Sequence, residues 1–297
     1  MIPIVLTLAL LAGDGPTAAD LLRGAVDDLQ AGRTAQGLDA LARADRAGNS
    51  QARELLGEIY FGGLAGVKAD PARACGYFEG AAQAGLGSGA HNYAQCFYDG
   101  SGRRRDLAQA RAWYAKAIGF GFVQARCALG NMLVRGEGGE KNLEAGLKLC
   151  REGAEAGDAN AQTDLGEYYL NGQVVPRDFV QAHAWFEKAA AQGHANALFH
   201  LGSMSWNGDG TPKDRVQAGR WYRQAYEAGR PEAALYVADA AVLQARDAGM
   251  TTPEGRQALE EARRWYGLAL KAPLDAKQRA HAAEGLKTVE AALAAKP

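Results

Sequence analysis

The sequence predicts an all-α fold, a right-handed α/α superhelical solenoid of two-helix repeats with a 36-residue period. Three residue series share this period. The first contains the glycines that close each repeat: Gly85, Gly121, Gly157, Gly193 and Gly229. The second contains the loop glycines Gly100, Gly136, Gly172 and Gly208, and the third is polar: Asp106, Asn142, Asp178 and Asp214. Because a single helical hairpin cannot bury its own apolar faces, such units stack side by side.

The first helix of a repeat is clearest after Asp158, whose carboxylate can accept hydrogen bonds from the free N–H groups of a helix start. Ala161 and Leu165 then recur at helical spacing and form one apolar face. Gly172 is expected to end the helix because glycine adopts the left-handed conformation without strain. Pro176 in the following loop cannot continue a helix.

The second helix begins at Asp178, and Gln181 three residues later makes the pair resemble a capping box. The same Asp-x-x-Gln spacing recurs at Asp106 and Asp214. Its predicted apolar face contains Ala182, Trp185, Phe186, Ala189 and Ala190. We expect the aromatic pair to supply most of the buried area and the alanines to allow close helix approach.

The repeat pattern predicts the following organisation. Residues 1–19 form a signal peptide, and residues 20–48 a degenerate N-terminal helical pair. Five repeats follow at 49–85, 86–121, 122–157, 158–193 and 194–229, then a divergent C-terminal repeat at 230–272 and a capping helix at 273–297. Atypical terminal units are expected because they cover the ends of the stack.

The N-terminal segment favours export. Residues 2–12 are almost wholly apolar, which is too short for a membrane span but is the length of a secretory apolar region. We therefore expect a periplasmic or secreted bacterial protein, although no Lys or Arg precedes Arg23, and a cytoplasmic protein is the alternative. The net charge of -1 argues against nucleic acid as a partner. No transmembrane segment is expected, and we expect a monomer.

The four cysteines are Cys75, Cys96, Cys127 and Cys150. An even number in an exported chain permits disulfides, with three possible connectivities. Free cysteine also behaves as a small buried hydrophobe, and for at least one pair we favour that interpretation. No Cys-x-x-Cys spacing occurs, so zinc and thioredoxin-like sites are not indicated.

The residues of the fourth repeat resemble the Sel-one-like repeat (SLR) family, a relative of the tetratricopeptide repeats. The resemblance rests on Leu165-Gly166-Glu-Tyr-Tyr169, Asn171-Gly172 and Ala182-x-Ala-Trp-Phe186-x-Lys-Ala-Ala190-x-Gln-Gly193, and it extends over residues 49–229. It implies a non-catalytic scaffold or adaptor that binds a protein or peptide. One exported, cysteine-rich branch is described as acting on penicillins, but the cysteines here stand at other positions, so its disulfides and activity are not transferred.

No catalytic, cofactor or metal site is predicted. The five histidines form no pair at the spacing of a helical metal site, and His-Glu-x-x-His, Gly-x-Ser-x-Gly and phosphate-binding glycine motifs are absent. Surface or helix-capping roles are the better interpretation of the histidines.

A binding surface is predicted on the side of each first helix that faces away from its core positions, which should line the inside of the superhelix. We call these positions the first-helix stripe. Its candidate partner-binding residues are Phe61, His91, Gln95, Tyr98, Asn131, Arg135, Glu167, Asn171, Phe199, Trp206 and Asn207. Amides can satisfy a peptide backbone, and the rings at 61, 98, 199 and 206 resemble interface anchors. Ordinary solvated helix positions are the alternative.

Two functions follow from the sequence. The first is the scaffold just described. The alternative is a weak exported hydrolase of a β-lactam or cell-wall-related substrate, which turnover of a chromogenic β-lactam would distinguish.

Overall fold

The computed structural model describes residues 16–295. The regular secondary structure in this range consists of fifteen α-helices and one short 3-10 helix, which are joined by loops. The chain divides into two compact units, residues 1–141 and 142–297. The first unit contains α1 (Pro16–Gln30), α2 (Thr34–Arg46), α3 (Ser50–Gly62), a 3-10 turn (Leu64–Gly66), α4 (Pro71–Gln83), α5 (Gly87–Asp99), α6 (Leu107–Gly119) and α7 (Ala125–Arg135). The second contains α8 (Leu143–Glu155), α9 (Ala159–Asn171), α10 (Phe179–Ala190), α11 (Ala195–Asn207), α12 (Arg215–Glu227), α13 (Ala233–Ala248), α14 (Pro253–Ala269) and α15 (Ala276–Ala294).

Within each unit the helices pack in chain order, so that α3 contacts α4 and α4 contacts α5. In the second unit α9 through α14 repeat this arrangement. The predicted helical repeat fold is therefore confirmed. Among the described helices, none is both long and apolar enough to cross a membrane.

The helix boundaries follow from the capping residues. The Asp158 side chain accepts hydrogen bonds from the backbone N–H groups of Asn160 and Ala161, as predicted. Gly172 takes a left-handed conformation with φ of 68°, which confirms its predicted role as a helix stop. Asp178 accepts from the Gln181 N–H, but the reciprocal bond of a capping box occurs only in α15 within residues 16–295. At Asp106, Asp178 and Asp214 the Asp-x-x-Gln spacing therefore marks a helix start with a one-sided cap, whereas Asp275 and Gln278 form the complete box.

In the first, fourth and fifth repeats, an aromatic ring of the second helix lies against a glycine of the first helix. A Cβ atom added to Gly57 would lie 2.5 Å from Phe78, and one added to Gly202 would lie 2.7 Å from Tyr222. Both rings are buried. Glycine is needed at these positions because a side chain would occupy the space that the ring fills.

The prediction that Trp185 is a core ring is wrong. Phe186 is fully buried, whereas Trp185 is only half-buried, and the Lys188 ammonium lies 3.7 Å from the centre of its ring. Trp113 and Lys116 repeat this arrangement in the first unit, again at 3.7 Å. Adjacent helical residues differ by about 100° in direction, so only one of the two rings can point at the neighbouring glycine. The other lies along the surface and contacts a lysine.

The preference for free thiols is also wrong. Cys75 in α4 and Cys96 in α5 form a disulfide with both cysteines fully buried. Cys127 and Cys150 are likewise disulfide-bonded, and none of the four is a free thiol. The first bridge joins the second helix of one repeat to the first helix of the next.

The predicted signal peptide, residues 1–19, lies mostly outside the described residues. Only its last four residues fall within them, at the start of α1.

Candidate functional site

In the first unit, Gln95 is held in place by two hydrogen bonds. The Tyr114 hydroxyl donates to Gln95 Oε1 over 2.5 Å, and Gln95 Nε2 donates to Asp99 Oδ2 over 2.6 Å. Burial raises the pKa of Tyr114, so its hydroxyl stays protonated and remains a donor. The amide of Gln95 is therefore fixed in orientation by α6, although the side chain is only half-buried.

Tyr98 reaches from α5 to the end of α7. Its hydroxyl donates to Glu137 Oε2 over 3.0 Å, and Arg135 Nη1 donates to the same hydroxyl over 3.4 Å. Burial, together with the contact to Glu137, raises the pKa of Tyr98. The structure thus brings together two predicted residues, Tyr98 and Arg135, through a carboxylate that sequence reasoning did not select.

His91 is packed between rings. Its ring centre lies 5.1 Å from that of Tyr114 and 5.2 Å from that of Phe122. Burial lowers the pKa of His91 to about 4, so it is neutral at pH 7. Its Nδ1 atom is buried and has no hydrogen-bond partner within residues 16–295. The expectation that His91 is a surface or capping residue is wrong, because the ring is enclosed by aromatic neighbours.

The remaining predicted residues of this unit are less constrained. Phe61 is 39% exposed, and its ring centre lies 6.2 Å from that of Phe78. Asn131 is half-buried and Arg135 is exposed. On the same stripe, burial raises the pKa of Glu54 and of Glu58, and repulsion from Glu54 raises the pKa of Glu58 further.

In the second unit, Glu167 of α9 bonds to His200 of α11, with 2.9 Å between Glu167 Oε1 and His200 Nε2. The imidazole of His200 stacks on Phe186, with ring centres 4.7 Å apart and planes inclined by 11°. The carboxylate of Glu167 is therefore oriented by a ring that the hairpin core supports. His200 was not among the predicted site residues.

Phe199 belongs to an aromatic cluster on α11, α12 and α13. Its ring centre lies 5.1 Å from that of Tyr222 and 5.0 Å from that of Tyr236. The Arg230 guanidinium covers the remaining side at 3.8 Å and also donates to Asn196 Oδ1 over 2.8 Å. Phe199 is consequently half-buried, and its ring is packed against these three side chains.

Trp206 is half-buried against the core of the second unit, whereas Asn171 and Asn207 are exposed. Asn207 Nδ2 donates to Asp209 Oδ2 over 3.1 Å. Of the four rings that the sequence places on the stripe, Phe61 alone is exposed, so the others offer an edge or one face to a partner.

In three hairpins, a tyrosine hydroxyl of the second helix donates a hydrogen bond to a polar side chain on the first-helix stripe. Tyr114 bonds to Gln95, Tyr222 bonds to Ser203 over 3.2 Å, and Tyr266 bonds to Asp239 over 2.7 Å. Ser203 and Asp239 stand three and four 36-residue periods after Gln95. Extending the period into the divergent C-terminal repeat could therefore have identified Asp239 as a stripe residue. This arrangement fixes polar groups at the surface, which suits hydrogen bonding to a polypeptide.

Within residues 16–295, no group of three or more His, Cys, Asp and Glu side chains could hold a metal ion.

Comparison with known proteins gives a consistent result. A sequence profile of the Sel1 repeat matches residues 50–86, 87–118, 123–158, 159–194 and 195–229. A Sel1 repeat protein from Oxalobacter formigenes is similar in structure, with a TM-score of 0.64 and 25% identity over 86% of this chain and 99% of that one. The protective antigen c5321 of uropathogenic Escherichia coli, which displays an SLR fold, matches at a TM-score of 0.55 and 26% identity over 92% of this chain and 61% of that one. Immunity protein Pa5087 from Pseudomonas aeruginosa shares the fold at a TM-score of 0.52, with 20% identity over 73% of this chain and 84% of that one.

Proposed function

Because the chain belongs to the Sel1 repeat family, whose members are generally protein-interaction scaffolds, we propose that it is a non-catalytic scaffold that binds a protein or peptide on its first-helix stripe. The single observation that carries the proposal is the orientation of polar stripe residues by the hairpin core. Gln95 is held by Tyr114, and Glu167 is held by His200, which stacks on Phe186.

Such orientation matters because a partner loses less entropy on binding groups that are already fixed. The Gln95 amide offers both a donor and an acceptor to a peptide backbone. Phe61 and the half-buried edge of Trp206 add apolar area, as anchors do in protein interfaces. The partner is therefore a polypeptide rather than a small metabolite, which would require an enclosed pocket.

The hydrolase alternative receives no support from the contact that most resembles a nucleophile with its base. Thr163 Oγ1 lies 2.8 Å from His194 Nδ1, but Thr163 is only 3% exposed. Its hydroxyl is within hydrogen-bond distance of both His194 and the Ala159 carbonyl oxygen, and it is almost wholly shielded from solvent. A nucleophile must reach the substrate, and a hydroxyl that is buried in this way does not.

We further propose a periplasmic or secreted bacterial location and a monomeric state. The buried Cys75–Cys96 bridge supports an oxidising compartment, because disulfides of this kind are rare where thiols are kept reduced.

The experiment that tests the proposal is affinity purification from the native host with three tagged forms of the full chain. They are the wild type, a stripe variant Glu167→Ala/Asn171→Ala/Asn207→Ala, and a control Arg151→Ala on the exposed side of α8. We expect the same partner with the wild type and the control, and at least about a tenfold loss with the stripe variant. Equal recovery with all three forms would exclude the stripe as the binding surface.

A further inference from the structure

A cleft of about 410 Å³ lies on the second unit, between α12, α13 and α14. Its walls come from α12 and α14, and its floor comes from α13. The floor is apolar, since Val237, Ala240 and Ala241 are all buried. The stripe is on the other side of α13, where Asp239 bonds to Tyr266 and His281.

The cleft exists because two positions that carry larger side chains in other repeats are minimal here. Gly219 and Ala240 stand one period after His183 and Met204, and four periods after the disulfide-bonded Cys75 and Cys96. A Cβ atom added to Gly219 would lie 3.0 Å from the Ala240 Cβ, so α12 and α13 approach closely. The space that larger side chains fill between other pairs of neighbouring repeats is left open above this contact.

The rim of the cleft is cationic. Arg215, Arg220 and Arg223 project from α12, and the one lining carboxylate, Glu261 of α14, forms an ion pair with Arg223. Arg215 and Arg220 are exposed and have no carboxylate partner within residues 16–295. Two arginines are therefore available to an anionic group.

The positive charge continues beyond the Arg223–Glu261 pair. A second depression on the same surface is lined by Arg263, Arg264 and Lys271, with Glu260 bonded to Arg263 over 2.7 Å. Since the whole chain has a formal net charge of -1, this excess of positive charge is local and sets the sign of the partner.

We propose that this cleft is a second docking site, which takes an acidic polypeptide segment carrying small apolar side chains. The carboxylates pair with Arg215 and Arg220, since the planar guanidinium matches a carboxylate with two parallel hydrogen bonds. A small aliphatic side chain enters above Gly219 and contacts Ala240 and Ala241. The apolar floor favours a polypeptide over a nucleic acid, whose backbone would bring only charge. The partner is a different one from that proposed for the first-helix stripe, although Arg215 touches both surfaces, since its guanidinium lies 5.8 Å from the centre of the Trp206 ring.

Fluorescence anisotropy with the full chain tests the proposal, with a short fluorescein-labelled peptide of alternating glutamate and alanine as the probe. We expect saturable binding at low salt, and a loss of at least about tenfold in Arg215→Glu/Arg220→Glu. The matched control, Arg104→Glu/Lys141→Glu, makes the same change of net charge at exposed positions in the first unit and should retain wild-type affinity. Equal loss in both double variants, or no binding by the wild type, would overturn the proposal.

The cleft itself is tested by Ala240→Met, which restores the residue found one period earlier at Met204. Because the larger side chain fills the floor of the cleft, this variant should bind the probe more weakly. Its net charge and its helical circular dichroism should be the same as those of the wild type. Gln244→Glu at the exposed mouth of the cleft provides a second variant, and it should also weaken binding through repulsion of the probe. Wild-type affinity in Gln244→Glu, or in folded Ala240→Met, would contradict the proposal that the peptide binds in this cleft. If a single-stranded oligonucleotide displaced the probe as well as the unlabelled peptide does, the proposal that the partner is a polypeptide would be contradicted.

Discussion

The ring of Phe186 lies directly against the backbone of Gly166, since a Cβ atom at Gly166 would be 2.7 Å from Phe186 Cε1. This contact sets the separation of α9 and α10, and it supports the stack of Phe186 on His200 that orients Glu167. The packing of the hairpin and the arrangement of the stripe are therefore linked through one ring.

Replacing Gly166 with alanine should lower the free energy of unfolding by about 1–3 kcal/mol, because the methyl group overpacks the ring of Phe186. Urea denaturation followed by helical circular dichroism measures this change. Repeat two carries Ala94 at the equivalent position, so the cost reflects the misfit with Phe186 rather than a general intolerance of alanine. The control is Gly267→Ala in α14, where an added Cβ atom would meet no other part of the protein within 4 Å beyond its own helix backbone and chain neighbours, and it should be stabilising by about 0.5–1 kcal/mol. Similar effects at the two positions would contradict the packing described.

The two adjacent rings of α10 should differ in their contribution to stability. Phe186→Ala should cost about 3–5 kcal/mol, as expected for a fully buried ring. Trp185→Ala should cost about 1–2 kcal/mol, since it removes part of one apolar surface and a cation–π contact with Lys188. Equal losses of unfolding free energy in urea would mean that the core ring has been misassigned.

The Cys75–Cys96 bridge closes a loop with a sequence separation of 21, which corresponds to about 3 kcal/mol in a chain-entropy treatment. We expect Cys75→Ala/Cys96→Ala to lose about that much in urea denaturation. Mass spectrometry after alkylation of the unfolded, unreduced wild type should detect no adduct, because none of the four thiols is free. An alkylated cysteine would contradict the oxidised state.

The 36-residue period predicts the helical repeats and their caps because it repeats both the apolar faces and the turn residues. It does not decide between Trp185 and Phe186, since both lie near the apolar face and only the neighbouring Gly166 selects one. The Cys75–Cys96 pair was missed for a related reason. Pairing depends on how the second helix of one repeat meets the first helix of the next, and that register comes from tertiary packing.

In the candidate site, too, the sequence predicts the positions of the residues but not the contacts that they make. Helical spacing places Gln95, Tyr98 and Glu167 on the stripe. It does not supply their partners, because Glu137 comes from the loop of the following repeat and His200 from the next first helix. Those contacts depend on stacking distances that a single sequence does not contain.

Acid should destabilise the protein through His91. Its pKa is lowered to about 4 by burial, so between about pH 6.5 and pH 4 the unfolded chain binds a proton that the folded chain does not. Stability therefore falls as the pH drops through this range, by about 2 kcal/mol at about pH 4.5 for this residue alone. The raised pKa values of Glu54 and Glu58 act in the opposite sense, so the comparison must be with a variant.

The variant is His91→Phe, which keeps a ring between Tyr114 and Phe122. Urea denaturation at about pH 7 and about pH 4.5 should show a smaller acid loss in this variant than in the wild type. The same acid dependence in both proteins would show that His91 is not buried in its neutral form.

Binding of a polypeptide on the first-helix stripe can be tested by site-specific photo-crosslinking in the native host. A photoreactive phenylalanine analogue replaces Asn207 on the first-helix stripe and, as the matched control, Arg151 on α8, both of which are exposed. We expect a covalent adduct with a polypeptide from position 207 and none from position 151. An adduct from position 151 alone, or no adduct from position 207 while the partner still co-purifies, would contradict binding on the stripe.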